Sequence, residues 1–335
     1  MKLGKMDKVI EARQLDFKIA NALITSASAK IPLIDAFKKA INKINPKNKV
    51  IAADTSPLAL SRYVADQFWE MPVTDTLSVD KILKFCLDNE VKCILPTRDG
   101  ELAFWANQKE LFKLNGINVV ISCLETIDFC LDKLKFFQRC SEKGFSAIPT
   151  TTVINDLNCD IFVVKERLGA GSELLGINLN KNDAQTHAAV LSSPIFQPYI
   201  EGMEISIDAW MDTSHKVKGL VLRRREIVVL GESEVTTTFR NEIIKKQCID
   251  LLESFEFYGP IVLQAIIDKK NKIHFIECNA RFGGASTASI AVGLDSLYWS
   301  FLDSCGVDIS TYLFTRSSKD TTQIRVQRDI YINAN

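Results

Sequence analysis

Two hydrophobic periods follow one another along this chain, and the change between them divides it. From residue 20 to 123, short apolar runs alternate with stretches whose apolar positions recur at helical spacing. Residues 22–25 (ALIT) predict a buried strand. After Pro32, the side chains of Leu33, Ile34, Phe37, Ala40, Ile41 and Ile44 share one helical face. A strand at VIAAD, a helix over residues 62–68 and a short strand over 68–71 follow. A helix over 79–89, the strand CILPT, a helix over 101–114 and the strand NVVIS complete this part. Strands alternating with helices predict a parallel, doubly wound sheet. Residues 128–144 predict one further helix. Beyond Pro149 the period becomes two, as in antiparallel strands: IFVVK, ELLGINL, IFQPYI, EISIDAWM and KVKGLVLRRREIVVL. A helix spans about 241–255, and IVLQAIID and KIHFIECNA form a hairpin around DKKNK. A helix from about residue 286 closes this core, and TQIRVQRDIYI predicts an edge strand.

Composition narrows the function classes more than the fold. At 335 residues, with 47% hydrophobic and 24% charged residues, the chain has a full core and room for two domains. Formal net charge is zero, so no charge excess points to nucleic acid or an acidic membrane, and a small polar substrate is expected. Nine cysteines form no C-x-x-C pair, and the three histidines offer no zinc spacing; the thiols read as reduced and packed. The first seventeen residues mix both charges without an apolar core, unlike a secretory signal, and no apolar run approaches the ~20 residues of a membrane helix. A cytoplasmic location is the expectation.

The first strand runs into TSASAK, which lacks the glycines that let backbone approach a pyrophosphate, so a dinucleotide site is not expected there despite Asp54 after the second strand. The sharpest chemical pattern is HFIECNARFGGAST. On an extended strand Glu277, Asn279 and Arg281 project from one side at ~6.6 Å steps. A carboxylate and an amide oxygen so placed suit a hard divalent cation on a triphosphate, and a guanidinium beside them suits the transferring phosphoryl group. Gln264, on the preceding hairpin arm, should lie opposite Glu277 and add an oxygen ligand. Gly283 and Gly284 lead into a helix N-terminus that can hold a carboxylate. In VVKERLGAGS, Lys165 ends a strand before a glycine-rich turn, a phosphate-contacting arrangement distinct from a Walker A loop. The segment IFQPYIEGMEISID, bent at Pro198 and Gly202, can present backbone to an adenine edge and Glu204 to ribose hydroxyls. Arg223 and Arg225 share a strand face from which Arg224 points away; a solvated face and a ligand contact are both open.

These residues together resemble the ATP-grasp superfamily, specifically the single-core members related to the large subunit of carbamoyl-phosphate synthetase. The likeness runs from about residue 21 and includes ITSASAKIPLIDAF, VIAADTSPLA, LPTRDGELA and, most specifically, ECNARFGG against E-x-N-x-R-x-G-G. It implies an α/β chain: a Rossmann-like pre-ATP-grasp domain with a parallel sheet (18–124, after a leader 1–17), then an α+β ATP-grasp core (125–310) with a mobile lid at about 150–191, and a C-terminal extension (311–335). Carried over, it implies that Lys133 and Lys165 contact ATP phosphates, helped by the lid turn with Gly169, Gly171 and Ser172. Gln197 and Ile200 would line the adenine pocket and Glu204 would hold the ribose. Gln264, Glu277 and Asn279 would bind magnesium or manganese. Arg281 would stabilise the transferring phosphoryl, with Arg223 or Arg225 near substrate. Pro198 and Glu166 depart from the family pattern, as does TSASAK.

The implied activity is ligation of a small-molecule carboxylic acid to an amine or thiol through an acylphosphate, with release of ADP. Nucleic-acid and membrane partners are not expected, and a homodimer is left open. Two alternatives remain: formation of carbamoyl or carboxy phosphate, which a single core without a glutaminase disfavours, and a nucleotide-binding regulator without turnover.

Overall fold

The computed structural model describes residues 18–74, 78–169, 174–326 and 329–332; the expected leader 1–17 lies outside them. A five-stranded parallel sheet forms first, from β1 (Asn21–Thr25), β2 (Val50–Asp54), β3 (Gln67–Glu70), β4 (Val91–Pro96) and β5 (Asn118–Val119), in the order β3-β2-β1-β4-β5. Its helices are α1 (Ile31–Asn42), α2 (Val79–Asp88) and α3 (Asp99–Leu114). The alternation of periods placed these elements, with one correction. Residues 60–63 make a single 3-10 turn where a helix over 62–68 was expected, and Gln67 already belongs to β3. Leu60 and Tyr63 are exposed, so that stretch has no continuous apolar face to dock.

The helix expected over 128–144 is two helices, α4 (Leu124–Leu131) and α5 (Lys133–Glu142), broken at Asp132. Asp132 is extended, and its carboxylate accepts from the N–H groups of Leu134 and Lys135, capping α5. It also takes both Nε and Nη2 of Arg167 at 2.9 and 2.6 Å, joining the helix start to the lid. Burial by itself would raise the Asp132 pKa, but Arg167 and the two backbone N–H groups hold it below the usual carboxylate range.

The lid is a three-stranded antiparallel sheet of β6 (Phe162–Glu166), β7 (Gly176–Leu179) and β8 (Pro194–Pro198), ordered β7-β6-β8 and backed by α6 (Lys181–Ala188). Ile154, Phe162, Val164, Ala184, Leu191 and Phe196 give it a small core of its own. The large sheet follows: β9 (Gly202–Met211), β10 (Val217–Val229), β11 (Glu232–Phe239), β12 (Gly259–Asp268), β13 (Ile273–Asn279) and β14 (Thr322–Ile324), in the order β13-β12-β9-β10-β11-β14. Helices α7 (Glu242–Leu252), α8 (Thr287–Ala291) and α9 (Ser296–Ser304) complete the chain. Of the edge strand expected over TQIRVQRDIYI, residues 322–324 form β14, paired antiparallel to β11, and the other described residues of that stretch are not strand. One continuous apolar core joins both sheets, from Leu23 and Ile94 through Phe129 and Phe136 to Leu263 and Phe275. At that seam Gly259 has φ +81°, and a Cβ there would stand 2.8 Å from Val120, so only glycine fits.

Because Asp132 both caps a helix and neutralises Arg167, Asp132→Ala should destabilise the protein by ~2–4 kcal/mol in urea unfolding. Asp132→Asn, which keeps a cap acceptor, should cost less than the alanine change. Equal losses would mean that the cap contributes nothing.

Candidate active site

The site is built on the β12–β13 hairpin. Asp268 accepts from the N–H groups of Lys270 and Lys272 and closes the turn. Pairing is antiparallel, with Val262 opposite Asn279, Leu263 opposite Cys278 and Gln264 opposite Glu277. The register then shifts, because Ala265 faces Phe275 and leaves Ile276 as an extra residue. This bulge explains an apparent conflict in the sequence. Phe275, Cys278 and Ala280 are all buried, although 275 and 278 cannot share a face on a regular strand. One inserted residue resets the alternation. It turns Glu277, Asn279 and Arg281 together toward the cleft, each half-buried.

Within that stripe the polar atoms bond in sequence. Asn279 Nδ2 donates to Glu277 Oε1 at 3.3 Å, and Arg281 Nη2 donates to Asn279 Oδ1 at 3.3 Å. Arg281 also makes a two-pronged pair with Asp99, at 2.7 and 2.6 Å. Burial would lower the Arg281 pKa, but Asp99 and Glu277 outweigh it and keep the guanidinium charged. Asp99 begins α3 in the first domain, after Glu101 caps that helix by accepting from Thr97 and Arg98 N–H. The RDGE pattern was visible in the sequence, yet nothing local showed that its aspartate would meet an arginine 182 positions away.

Facing the stripe across the cleft are Lys133 and Gly169. Lys133 Nζ donates to the Gly169 carbonyl at 2.8 Å, and Gly169 has φ +93°, the geometry of a tight glycine turn. Gly171 and Ser172, expected in the same turn, lie outside the described residues. Lys165, on β6, is half-buried. Withdrawal from water lowers its pKa to about 8, against the attraction of Glu277 and Glu204 and with the repulsion of Lys133. The two lysines and the acidic stripe therefore share one field.

Other expected residues are placed differently. The Gln197 side chain is buried and donates to Thr150 Oγ1 at 2.7 Å. Ile200, in the bend between β8 and β9, is half-buried. Glu204, on β9, comes within 3.0 Å of Arg225. Arg225 thus orients Glu204, and its Nη2 donates to Gly231 O. Arg223 and Arg225 do share a face, while Arg224 is exposed over the Phe239 ring. Arg223, however, is corrected from a contact residue to an internal one. It is 2% exposed and pairs with Asp208 at 2.5 Å. Asp208 also accepts from Ser286 Oγ at 2.7 Å and from Ser289 Oγ, and Ser286 Oγ accepts from Gly283 N–H at 2.9 Å. The arginine thereby fixes the Gly283–Gly284 turn from behind. Sequence reasoning missed Asp208 because, in EISIDAWM, it reads as one more polar position in an alternating strand.

Gln264, Glu277 and Asn279 offer only hard oxygen donors and a single carboxylate. Among the described residues no group of three His, Cys, Asp or Glu forms a metal cage. Such a donor set fits magnesium that keeps phosphate oxygens and waters as its other ligands, and it does not suit zinc.

Comparison with known proteins bears on the domains and the fold. Residues 22–120 match the PylC-like N-terminal domain, and residues 130–285 match the ATP-grasp domain. The chain thus carries an ATP-grasp domain preceded by a PylC-like N-terminal domain. Among solved structures, it resembles the biotin carboxylase domain of Hydrogenobacter thermophilus 2-oxoglutarate carboxylase, in complex with MgADP, ADP and bicarbonate. That likeness has a TM-score of 0.71 and 16% identity over 91% of this chain and 74% of the other. Staphylococcus aureus N5-carboxyaminoimidazole synthetase with ADP gives 0.69 and 19%, over 87% and 79%. A Bacillus licheniformis L-amino acid ligase gives 0.66 and 14%, over 86% and 75%. No curated protein matches the chain in sequence.

The lowered Lys165 pKa makes a signed prediction. Below about 8 the ammonium is charged and attracts phosphate; above it, nucleotide binding must take up a proton. MgATP affinity should weaken as pH rises from 7 to 9.5, by up to ~10-fold per unit once the free lysine is neutral. Lys165→Arg, which stays charged, should flatten that slope. Titration calorimetry at several pH values checks it, and an equal slope in both proteins would exclude Lys165 as the cause.

Proposed function

We propose that this chain is an ATP- and magnesium-dependent ligase that activates a small-molecule carboxylate as an acylphosphate and passes the acyl group to an amine or thiol, releasing ADP. The observation that carries the reading is the half-buried stripe of Glu277, Asn279 and Arg281, with Gln264 opposite and Lys133 and Lys165 across the cleft. A carboxylate is a poor electrophile, and phosphorylation supplies a leaving group. Magnesium on the Gln264, Glu277 and Asn279 oxygens would neutralise phosphate charge. Lys165 and Lys133 hold the triphosphate, and Glu204, oriented by Arg225, takes the ribose hydroxyls. Arg281 binds the γ-phosphoryl as one carboxylate oxygen attacks phosphorus, breaking the bond to the β-phosphate oxygen so that ADP leaves. The nucleophile then adds to the acyl carbon and inorganic phosphate departs with that same oxygen. Positioning and charge neutralisation account for most of the rate.

Closure of the lid over the phosphates would keep water from the acylphosphate. Its separate small core supports movement as a unit. Amides of β6, β7 and β8 should exchange more slowly with magnesium and a non-hydrolysable ATP analogue than without. Equal protection in both states would refute closure.

The chemical test uses isotopes. An acid substrate carrying heavy oxygen in its carboxylate should deliver one label into inorganic phosphate for each product formed. Hydroxylamine should intercept the intermediate as a hydroxamate when the natural nucleophile is omitted. Unlabelled phosphate accompanying product would sink the acylphosphate route. Label arriving from bicarbonate instead would identify carboxy-phosphate chemistry.

A further inference from the structure

Around Arg281 lies a second group of charges that the proposed phosphoryl chemistry does not use. Lys30 precedes α1 in the loop after β1, Glu232 starts β11, and Arg325 follows β14. Chain segments almost 300 positions apart thus converge beside the Gly283–Gly284 turn. The absence of a side chain at Gly284 makes room for this convergence, since a Cβ there would stand 2.9 Å from the Glu232 carboxylate.

The charges in this group do not cancel. Asp99 is taken by Arg281, and Glu232 is taken by Arg325. Lys30 is left over. Its side chain has neither a hydrogen bond nor an ion pair among the described residues, although it is half-buried and sits in the field of Glu232, Arg281, Arg325 and Asp99. Withdrawal from water lowers the Lys30 pKa, with Arg281 and Arg325 acting in the same direction and Glu232 and Asp99 against it. A cation drawn from water without a partner is costly unless something else neutralises it. With Asp99 and Glu232 each taken by an arginine, Lys30 is the cation that an added negative charge would pair.

Resting on the ligase reading above, we propose that Lys30, flanked by Arg325, binds an anionic group on the non-reacting end of the acid substrate, so that the substrate carries a second carboxylate or a phosphate-type group besides the carboxylate that is activated. Arg281 bonds to Asn279 of the metal-binding stripe and to Asp99, and among the described residues no bond joins Lys30 to any of them. The reacting carboxylate therefore belongs at Arg281, and the second anion belongs on the flank where Lys30 has no partner. The Glu232–Arg325 pair belongs to the same charge group as Lys30. Glu232 is itself held in the charged state: burial would raise its pKa, but Arg325 more than offsets this. An uncharged or positively charged tail would meet an ammonium and a guanidinium without gaining a bond to either.

The test is a binding comparison on the full chain with magnesium and a non-hydrolysable ATP analogue. Its probes are straight-chain monocarboxylates, α,ω-dicarboxylates and ω-phosphonocarboxylates of three to six carbons. Wild type should bind at least one doubly anionic acid ~10-fold or more tighter than the monocarboxylate of equal length, the scale of one hydrogen bond to a charged group. Whether the dicarboxylate or the phosphonate arm binds better identifies the second group. Lys30→Met should abolish the preference, and Lys30→Arg should restore much of it, with affinity for the ATP analogue unchanged in both. Lys30→Gln replaces the methionine variant if that one does not fold. No preference in wild type, or a preference that survives loss of the lysine, overturns the assignment. Failure of the ligase reading registers separately, as binding of the acids without acid-dependent release of ADP from ATP.

Discussion

The arrangement of this site depends on the register between β12 and β13. Leu263, Ala265, Phe275, Cys278 and Ala280 must all face the core that unites the two sheets. A slip of one residue would bury Glu277 and Asn279 there and expose Cys278, which costs several kcal/mol for each polar group left without partners. The core thus selects the register, and the register sets Gln264 opposite Glu277. The bulge at Ile276 is what allows apolar packing before the stripe and polar chemistry along it within one short strand. Nothing about the ligand is needed to explain why these oxygens converge. Their convergence follows from hydrocarbon packing on the other face.

A second constraint acts from behind. Asp208 and Arg223 are a buried ion pair, and such pairs contribute little net stability unless every remaining polar atom is satisfied. Here the two serines of the turn and α8 complete the carboxylate, and Thr236 takes a further guanidinium N–H at 3.2 Å. The outcome is geometric: the glycine turn after Arg281 is tied to the middle strands of the sheet. Glycines that would otherwise give a loose loop are held in one conformation.

Much of this was legible in the sequence, and the remainder was hidden for physical reasons. Periods of 3.6 and 2 located most helices and strands, because burial of one face is a local property of the sequence. The ECNAR stripe and Gln264 were visible for the same reason, and so was the edge strand that became β14. Asp132 fell inside the single helix expected over 128–144, since its partner Arg167 is supplied by a different element. Arg223 looked like a ligand contact because its counter-ion stands 15 residues earlier on a neighbouring strand. Gln197 was expected at an adenine pocket, and the bond of its side chain to Thr150 could not be read from the sequence. Each error concerns a polar side chain whose meaning is set by one distant partner, and hydrophobic patterning carries no information about such pairs.

The pair between Arg281 and Asp99 has a mechanical side. Asp99 belongs to the parallel-sheet domain and Arg281 to the strand that carries the acidic stripe, so their two-pronged contact is a rivet across the seam between the domains. An anion that drew the guanidinium toward itself would loosen that rivet and leave Asp99 to find another cation. The stiffness of the joint between the two halves is therefore coupled to the charge held in the cleft.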